Sequence, residues 1–238
     1  MNFSKPISLI VTLFLIFFSF NSSAHSCEWE TYHCPIDGTE VSFCATVSMY
    51  VEGRKRDMQK FGAVGSYYKE LVNSCHTCYF SGYISDFEKD YSENEISALR
   101  TWIKKNISEP KDEADEYAIC ARIQEFNNAS PDVIADTWLM GSYMLKGVSE
   151  EKERRKAMQL KAACYFEEAA SAYQCEEKQL CAIYKYVAAE MYRRADFFKD
   201  ALFWYEKAKQ DPDLPEWLSE MNTEQQKLAV NNDNRNDV

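Results

Sequence analysis

Two short segments carry the residues best suited to chemistry. The first is Cys34-Pro-Ile-Asp37-Gly38; the second, 41 residues after Cys34, begins Cys75-His-Thr-Cys78. In a C-x-x-C knuckle, a tight turn aims two thiolates at one ion. Two such knuckles, brought together by strands, complete a tetrahedral zinc site. The first knuckle here ends in a carboxylate, which binds zinc through oxygen. The candidate metal ligands are therefore Cys34, Asp37, Cys75 and Cys78, with His33, Cys44, His76 or Cys27 as alternatives for the fourth position. The same thiols admit two other readings. One is disulfides, for example Cys34 to Cys75 or Cys78 together with Cys27 to Cys44. The other is a redox-active dithiol at Cys75 and Cys78, where a neighbouring imidazolium lowers a thiol pKa. No βαβ pattern surrounds that dithiol, and reactive C-x-x-C pairs normally open a helix.

The chain has nine cysteines, an odd number, so at least one is free, metal-bound or paired to another chain. Cys120, Cys164, Cys175 and Cys181 fall in a helical part and read as core residues or a local staple. Cys175 and Cys181 bracket a turn and are spaced to pair. Other catalytic arrangements are absent: no G-x-S-x-G, no H-E-x-x-H and no phosphate-cradling glycine loop occurs. The expectation is a non-enzymatic protein without catalytic residues.

The elements that must position these groups follow from composition and period. Gly 7 and Pro 6 are few for 238 residues, and 46% of the chain is apolar. That balance excludes wholesale disorder and predicts an α+β fold that is mostly α. Residues 39–51 alternate, with Val41, Phe43, Ala45, Val47, Met49 and Val51 on one face of a strand. Residues 66–72 suit a strand or a short helix. Arg54-Lys-Arg-Asp-Met-Gln-Lys60 between them reads as a solvated loop, with an acidic partner as the sharper alternative. From Ser92 the period becomes helical. Ser92 and Glu95 form a capping box, and Ser130-Pro131 opens a later helix. Helices are expected over 113–127, 149–173, 177–194, 198–210 and from Pro215 to about Val230.

Residues 1–24 read as a secretory signal. Lys5 precedes a mostly apolar run from Ile7 to Phe20, and Ser22 and Ala24 supply small residues at the cut. The run is too short to span a bilayer. The expected organisation is a signal over 1–24, a Cys-rich zinc-ribbon-like module over 25–90, a helical region over 91–230 and a disordered tail over 231–238. The formal net charge of −11 argues against general binding of nucleic acid.

Ala162, Phe166 and Ala169 share the small/aromatic/small spacing of Ala201, Tyr205 and Ala208. With Ala189, Tyr192 and Pro212, the second copy resembles a tetratricopeptide repeat, which implies stacked helical hairpins. The chain also resembles an uncharacterised bacterial family. That family has an N-terminal C-P-x-C-G knuckle, a basic Arg-Asp segment, a second knuckle with an aromatic and acidic stretch after it, and a tetratricopeptide-like C-terminal region. The corresponding residues here are Cys34, Pro35 and Gly38; Arg56 and Asp57; Cys75 and Cys78; then Tyr79, Phe80, Asp86 and Phe87. Asp37 stands where the family has cysteine, and Tyr79 where it has glycine. The resemblance covers roughly residues 30 to 210 and supplies no reaction.

Together these readings predict an exported bacterial scaffold or protein-interaction protein. Its Cys-rich module is held by zinc or disulfides, and its partner is a protein or peptide. The alternatives are a periplasmic thiol-disulfide oxidoreductase using Cys75 and Cys78, or a zinc-handling protein.

Overall fold

The computed structural model describes residues 25–171 and 178–235. The fold is α+β and mostly α. The expected signal segment and Cys175 lie outside the described residues.

An antiparallel sheet comes first, in the order β1 (His25–His33), β2 (Glu40–Arg54), β3 (Lys60–Ala63). Helix α1 (Tyr67–Glu70) resolves the ambiguous segment in favour of helix. A two-stranded ladder follows, β4 (Asn73–Ser74) with β5 (Ser81–Gly82), and then α2 (Ile84–Glu88). Neither element showed in the sequence, because two-residue strands and one-turn helices carry no period.

The helices then run as α3 (Glu93–Asn106), α4 (Glu113–Phe126), α5 (Pro131–Met144), α6 (Lys152–Ser171), α7 (Lys178–Arg194), α8 (Phe198–Lys209) and α9 (Glu216–Val230). From α4 onward each helix packs on the next. The capping box at α3 is formed as the sequence predicts. Ser92 Oγ accepts from the Glu95 amide at 3.3 Å, and the Ser92 amide donates to Glu95 Oε2 at 2.8 Å. Gly141 sits at a close crossing: a Cβ there would lie 2.8 Å from Tyr117 Cβ on α4 and closer still to Met158 Cε on α6. The two small/aromatic/small sets are buried throughout, as stacked helices require.

Two cores result. One gathers Met58, Tyr68 and Val72 with the faces of α4 to α9. The other joins Cys34, Phe43, Cys75 and Phe80 to Phe87, Leu99, Ile103 and Ile123. Each core draws on both sides of residue 90.

The strand read over 41–51 is formed, but its apolar face is buried over only part of its length. Val41 and Phe43 are buried, but Val47 and Val51 are exposed, and Trp29 and Tyr50 beside them are 70% and 67% exposed. The apolar cluster under the sheet reaches only the half of β2 nearest the knuckles. The distal half of the hairpin therefore has apolar alternation without a layer to cover it. Cys164 also departs from expectation: it is exposed rather than core.

Candidate metal centre

The two knuckles fold as copies of one turn. In the first, the Gly38 amide donates to Cys34 O and the Cys34 amide to Thr39 O, both at 2.8 Å. In the second, the Tyr79 amide donates to Cys75 O and the Cys75 amide to Phe80 O, again at 2.8 Å. Each turn joins two paired strands, β1 to β2 and β4 to β5. The residue after each knuckle is left-handed, Gly38 at φ 78° and Tyr79 at φ 65°. Glycine adopts that conformation without penalty, whereas tyrosine does so at a cost of about 1 kcal/mol.

The turns face each other. Cys34 Sγ lies 3.5 Å from Cys78 Sγ, and Cys75 Sγ lies 3.5 Å from Asp37 Oδ1. One donor atom from each of the four residues falls within 4.8 Å of all the others. A tetrahedral zinc with sulfur ligands at about 2.3 Å sets neighbouring donors about 3.8 Å apart. The four side chains therefore fit one such ion, compatible with zinc. Cys34 and Cys75 are buried, Cys78 half-buried and Asp37 exposed, so the carboxylate forms the solvent rim. The alternatives for the fourth ligand do not converge here. Cys27 and Cys44 are joined to each other as a disulfide, and His33 and His76, both exposed, are not part of the cluster.

Backbone amides at both turns favour thiolates. Cys34 receives the amides of Ile36 and Asp37, and Cys75 receives those of Cys78 and Thr77. Without an ion, the hydrogen bond with Cys78 and burial push the Cys34 thiol up, and burial pushes Cys75 up. Burial also opposes ionisation of Asp37, but hydrogen bonds from Thr39, Cys34 and Cys75 outweigh it and hold the carboxyl low. Two contacts fix the pair of turns. Thr39 Oγ1 donates to Thr77 Oγ1 at 3.2 Å, and Arg100 on α3 donates to Ile36 O.

Cys34, Cys75 and Cys78 are free thiols, as are Cys120 and Cys164 among the described residues. The proposed bridge from Cys34 to Cys75 or Cys78 is thus not formed, while Cys27–Cys44 is. Cys181 is disulfide-bonded. The C-x-x-C pair sits in a turn between strands, not at the start of a helix.

A second constellation lay unread in the sequence. Asp57, in the β2–β3 turn, is 1% exposed. Its Oδ2 pairs with Lys146 Nζ and with Arg194 Nη1 at 3.0 Å, and its Oδ1 accepts the Gln59 amide at 3.3 Å. Behind it, Glu190 takes Arg193 and Arg194 at 2.7 and 2.5 Å and the Tyr205 hydroxyl at 2.5 Å, all buried. The Tyr143 and Tyr186 hydroxyls donate to the carbonyls of Asp57 and Arg56, each at 2.6 Å. Burial works against an ionised Asp57, but Arg194 and Lys146 overcome it and keep the carboxyl below its ordinary range. Burial brings Lys146 down to about 8 against the pull of Asp57. Two signals were present: one acid inside the basic run 54–60, and Glu190, Arg193 and Arg194 at pairing distance along a helix.

Residues 29–229 match the family described as an uncharacterised protein conserved in bacteria, DUF2225. The chain belongs to DUF2225. No curated protein and no solved structure matches it. Within this DUF2225 chain the match takes in both knuckles, the Asp57 network, helices α3 to α8 and α9 as far as residue 229.

Proposed function

We propose that the protein is an exported, non-enzymatic scaffold whose N-terminal module is stapled by one structural zinc ion on Cys34, Asp37, Cys75 and Cys78. Its helical hairpins, tetratricopeptide-like in their small/aromatic/small spacing, offer a surface to a protein or peptide partner. The observation that carries this reading is the coexistence of two cysteine states in one small module. Cys27 and Cys44 are bridged, while Cys34 and Cys78 stay reduced at 3.5 Å. In an oxidising compartment two touching thiols close to a disulfide unless a metal holds them. The zinc supplies folding energy rather than reactivity when its four positions are filled by protein.

One observation favours zinc handling as a second reading: Asp37, an oxygen donor, is the exposed ligand. The oxidoreductase reading has less support, since Cys75 is fully buried.

Native and denatured mass spectrometry of protein from the exported fraction tests the proposal, with alkylation before and after chelation. One zinc per chain is expected. Cys34, Cys75 and Cys78 should alkylate only after chelation, whereas the exposed Cys164 reacts at once. Metal that leaves to a weak chelator without unfolding would favour handling. A metal-free protein with a Cys34–Cys78 bridge would overturn the zinc reading.

A further inference from the structure

The basic run 54–60 does not end in solvent. The β2–β3 turn forms one wall of a concave groove of about 920 Å³. The start of α6 and the turn before it form the opposite wall, and the end of α7 and the segment after α9 close it. Nine of its thirteen described lining residues are Lys or Arg, and none is Asp or Glu. This is a third of the 27 basic residues of a chain whose net charge is −11. Composition therefore does not explain the cluster.

Stability explains only part of it. Lys146 and Arg194 serve Asp57, Lys156 pairs with Asp196, and Arg56 pairs with Glu224. Arg54, Lys55 and Lys152 make no ion pair among the described residues, and Lys55 and Lys152 are exposed. They come from opposite walls. Like charges gathered in a concave site repel one another and concentrate a positive field on its mouth. One lining side chain is aromatic, Phe61, 36% exposed.

We infer that this groove binds a small soluble organic polyphosphate, with two or more adjacent phosphate groups between the basic walls and the organic part on Phe61. Adjacent phosphates concentrate several negative charges and many acceptor oxygens in a short span, which suits arginine forks and lysine ammonium groups on both sides. A concave site of this size encloses a small ligand, whereas a lipid surface or a long acidic chain meets a flat or open face. The inference does not depend on the metal.

The test is calorimetric titration of the full mature protein with inorganic pyrophosphate and adenosine diphosphate. Saturable binding below about 1 mM is expected, weakening as salt is raised. The exposed pair Lys55→Glu and Lys152→Glu should weaken it about tenfold or more, and each single change should weaken it less. Lys104→Glu, outside the groove, should leave it unchanged. Circular dichroism checks that each variant is folded. Absence of binding to both probes overturns the inference, as does equal weakening by Lys104→Glu. Sedimentation with phosphatidylglycerol vesicles, or capture of a poly-aspartate peptide, without binding of either probe would also overturn it, by making the groove a membrane or protein contact.

Discussion

Replacing Asp57 with asparagine isolates what joins the N-terminal strands to the helices. The substitution keeps the shape of the side chain and the carbonyl that accepts from Tyr143. It removes the charge and turns one oxygen into a donor. Oδ1 faces the Gln59 amide and Oδ2 faces Lys146 and Arg194, so every neighbour of the carboxylate is itself a donor. Whichever way the amide is turned, its NH2 meets a donor. Removing one partner of a buried pair costs about 3–5 kcal/mol. The lower end applies here for two reasons. Arg194 keeps Glu190 at 2.5 Å, and Lys146, already drawn to about 8, can give up its proton. A loss of about 3 kcal/mol lowers the melting temperature of a chain this size by roughly 6–12 °C. Urea unfolding should show the midpoint falling with its slope unchanged. Adding Lys146→Met should cost less than the sum of the two single changes, with coupling of at least about 1 kcal/mol. The acid limb carries a second signature. The folded pKa of Asp57 lies below its ordinary 3.8. Its contribution is therefore complete above that value and lost as pH falls through the folded pKa, so Asp57→Asn should flatten stability below about pH 4. A loss under about 1 kcal/mol at pH 7, with no coupling to Lys146, would refute the reasoning and leave the turn held by Tyr143 and Tyr186 alone.

Two further outcomes are expected. Burial raises Glu116 from 4.5 to about 7, with Ser74 opposing. The folded state then holds a proton that the unfolded state has released, so stability falls as pH rises from 4.5 to about 7. Glu116→Gln should remove that slope and stabilise the protein at pH 7.5, as thermal melts across pH would record; an unchanged slope would place its cause elsewhere. The left-handed residues after the knuckles should answer in opposite senses in chemical denaturation. Gly38→Ala should lose about 1 kcal/mol although its Cβ meets nothing within 4 Å, and Tyr79→Gly should gain up to about 1 kcal/mol. Two changes of the same sign would mean that packing, not backbone conformation, decides both.

Local signals were legible in the sequence, and long-range ones were not. The α3 capping box, the Ser130-Pro131 helix start and the buried faces of α6 and α8 follow from residues within one or two turns of each other. The knuckles were legible because spacing alone encodes a two-ligand turn, and the structure brings Cys34, Asp37, Cys75 and Cys78 into one cluster. The choice between zinc and disulfide was not legible, since it depends on which sulfurs meet. The pairing of Asp57, which stood in the sequence only as part of the Arg-Asp segment, was missed because its partner Arg194 is 137 residues away. The groove was missed for a related reason. Each of its walls reads by itself as an ordinary solvated charge run, and only tertiary packing sets them opposite one another. On β2, alternation reports which side chains share a face, not whether anything lies over it.

The long reach of the Asp57 contact bears on the order in which the chain assembles. Synthesis delivers the knuckles and the β2–β3 turn first, yet Asp57 waits for Arg194, and its neighbour Arg56 waits for Glu224. Closing loops of that length carries an entropic cost that only late contacts repay. The two knuckles can close once residue 80 is made, and Tyr143 and Lys146 can reach the turn between them before α7, but its pairing with Arg194 waits until α7 exists. A nascent chain cut short before α7 would therefore have the Cys34, Asp37, Cys75 and Cys78 cluster and both facing walls of the groove, but lack Arg194 and the segment after α9 that close it. The two ends of the protein mature together, although the first is made well before the last.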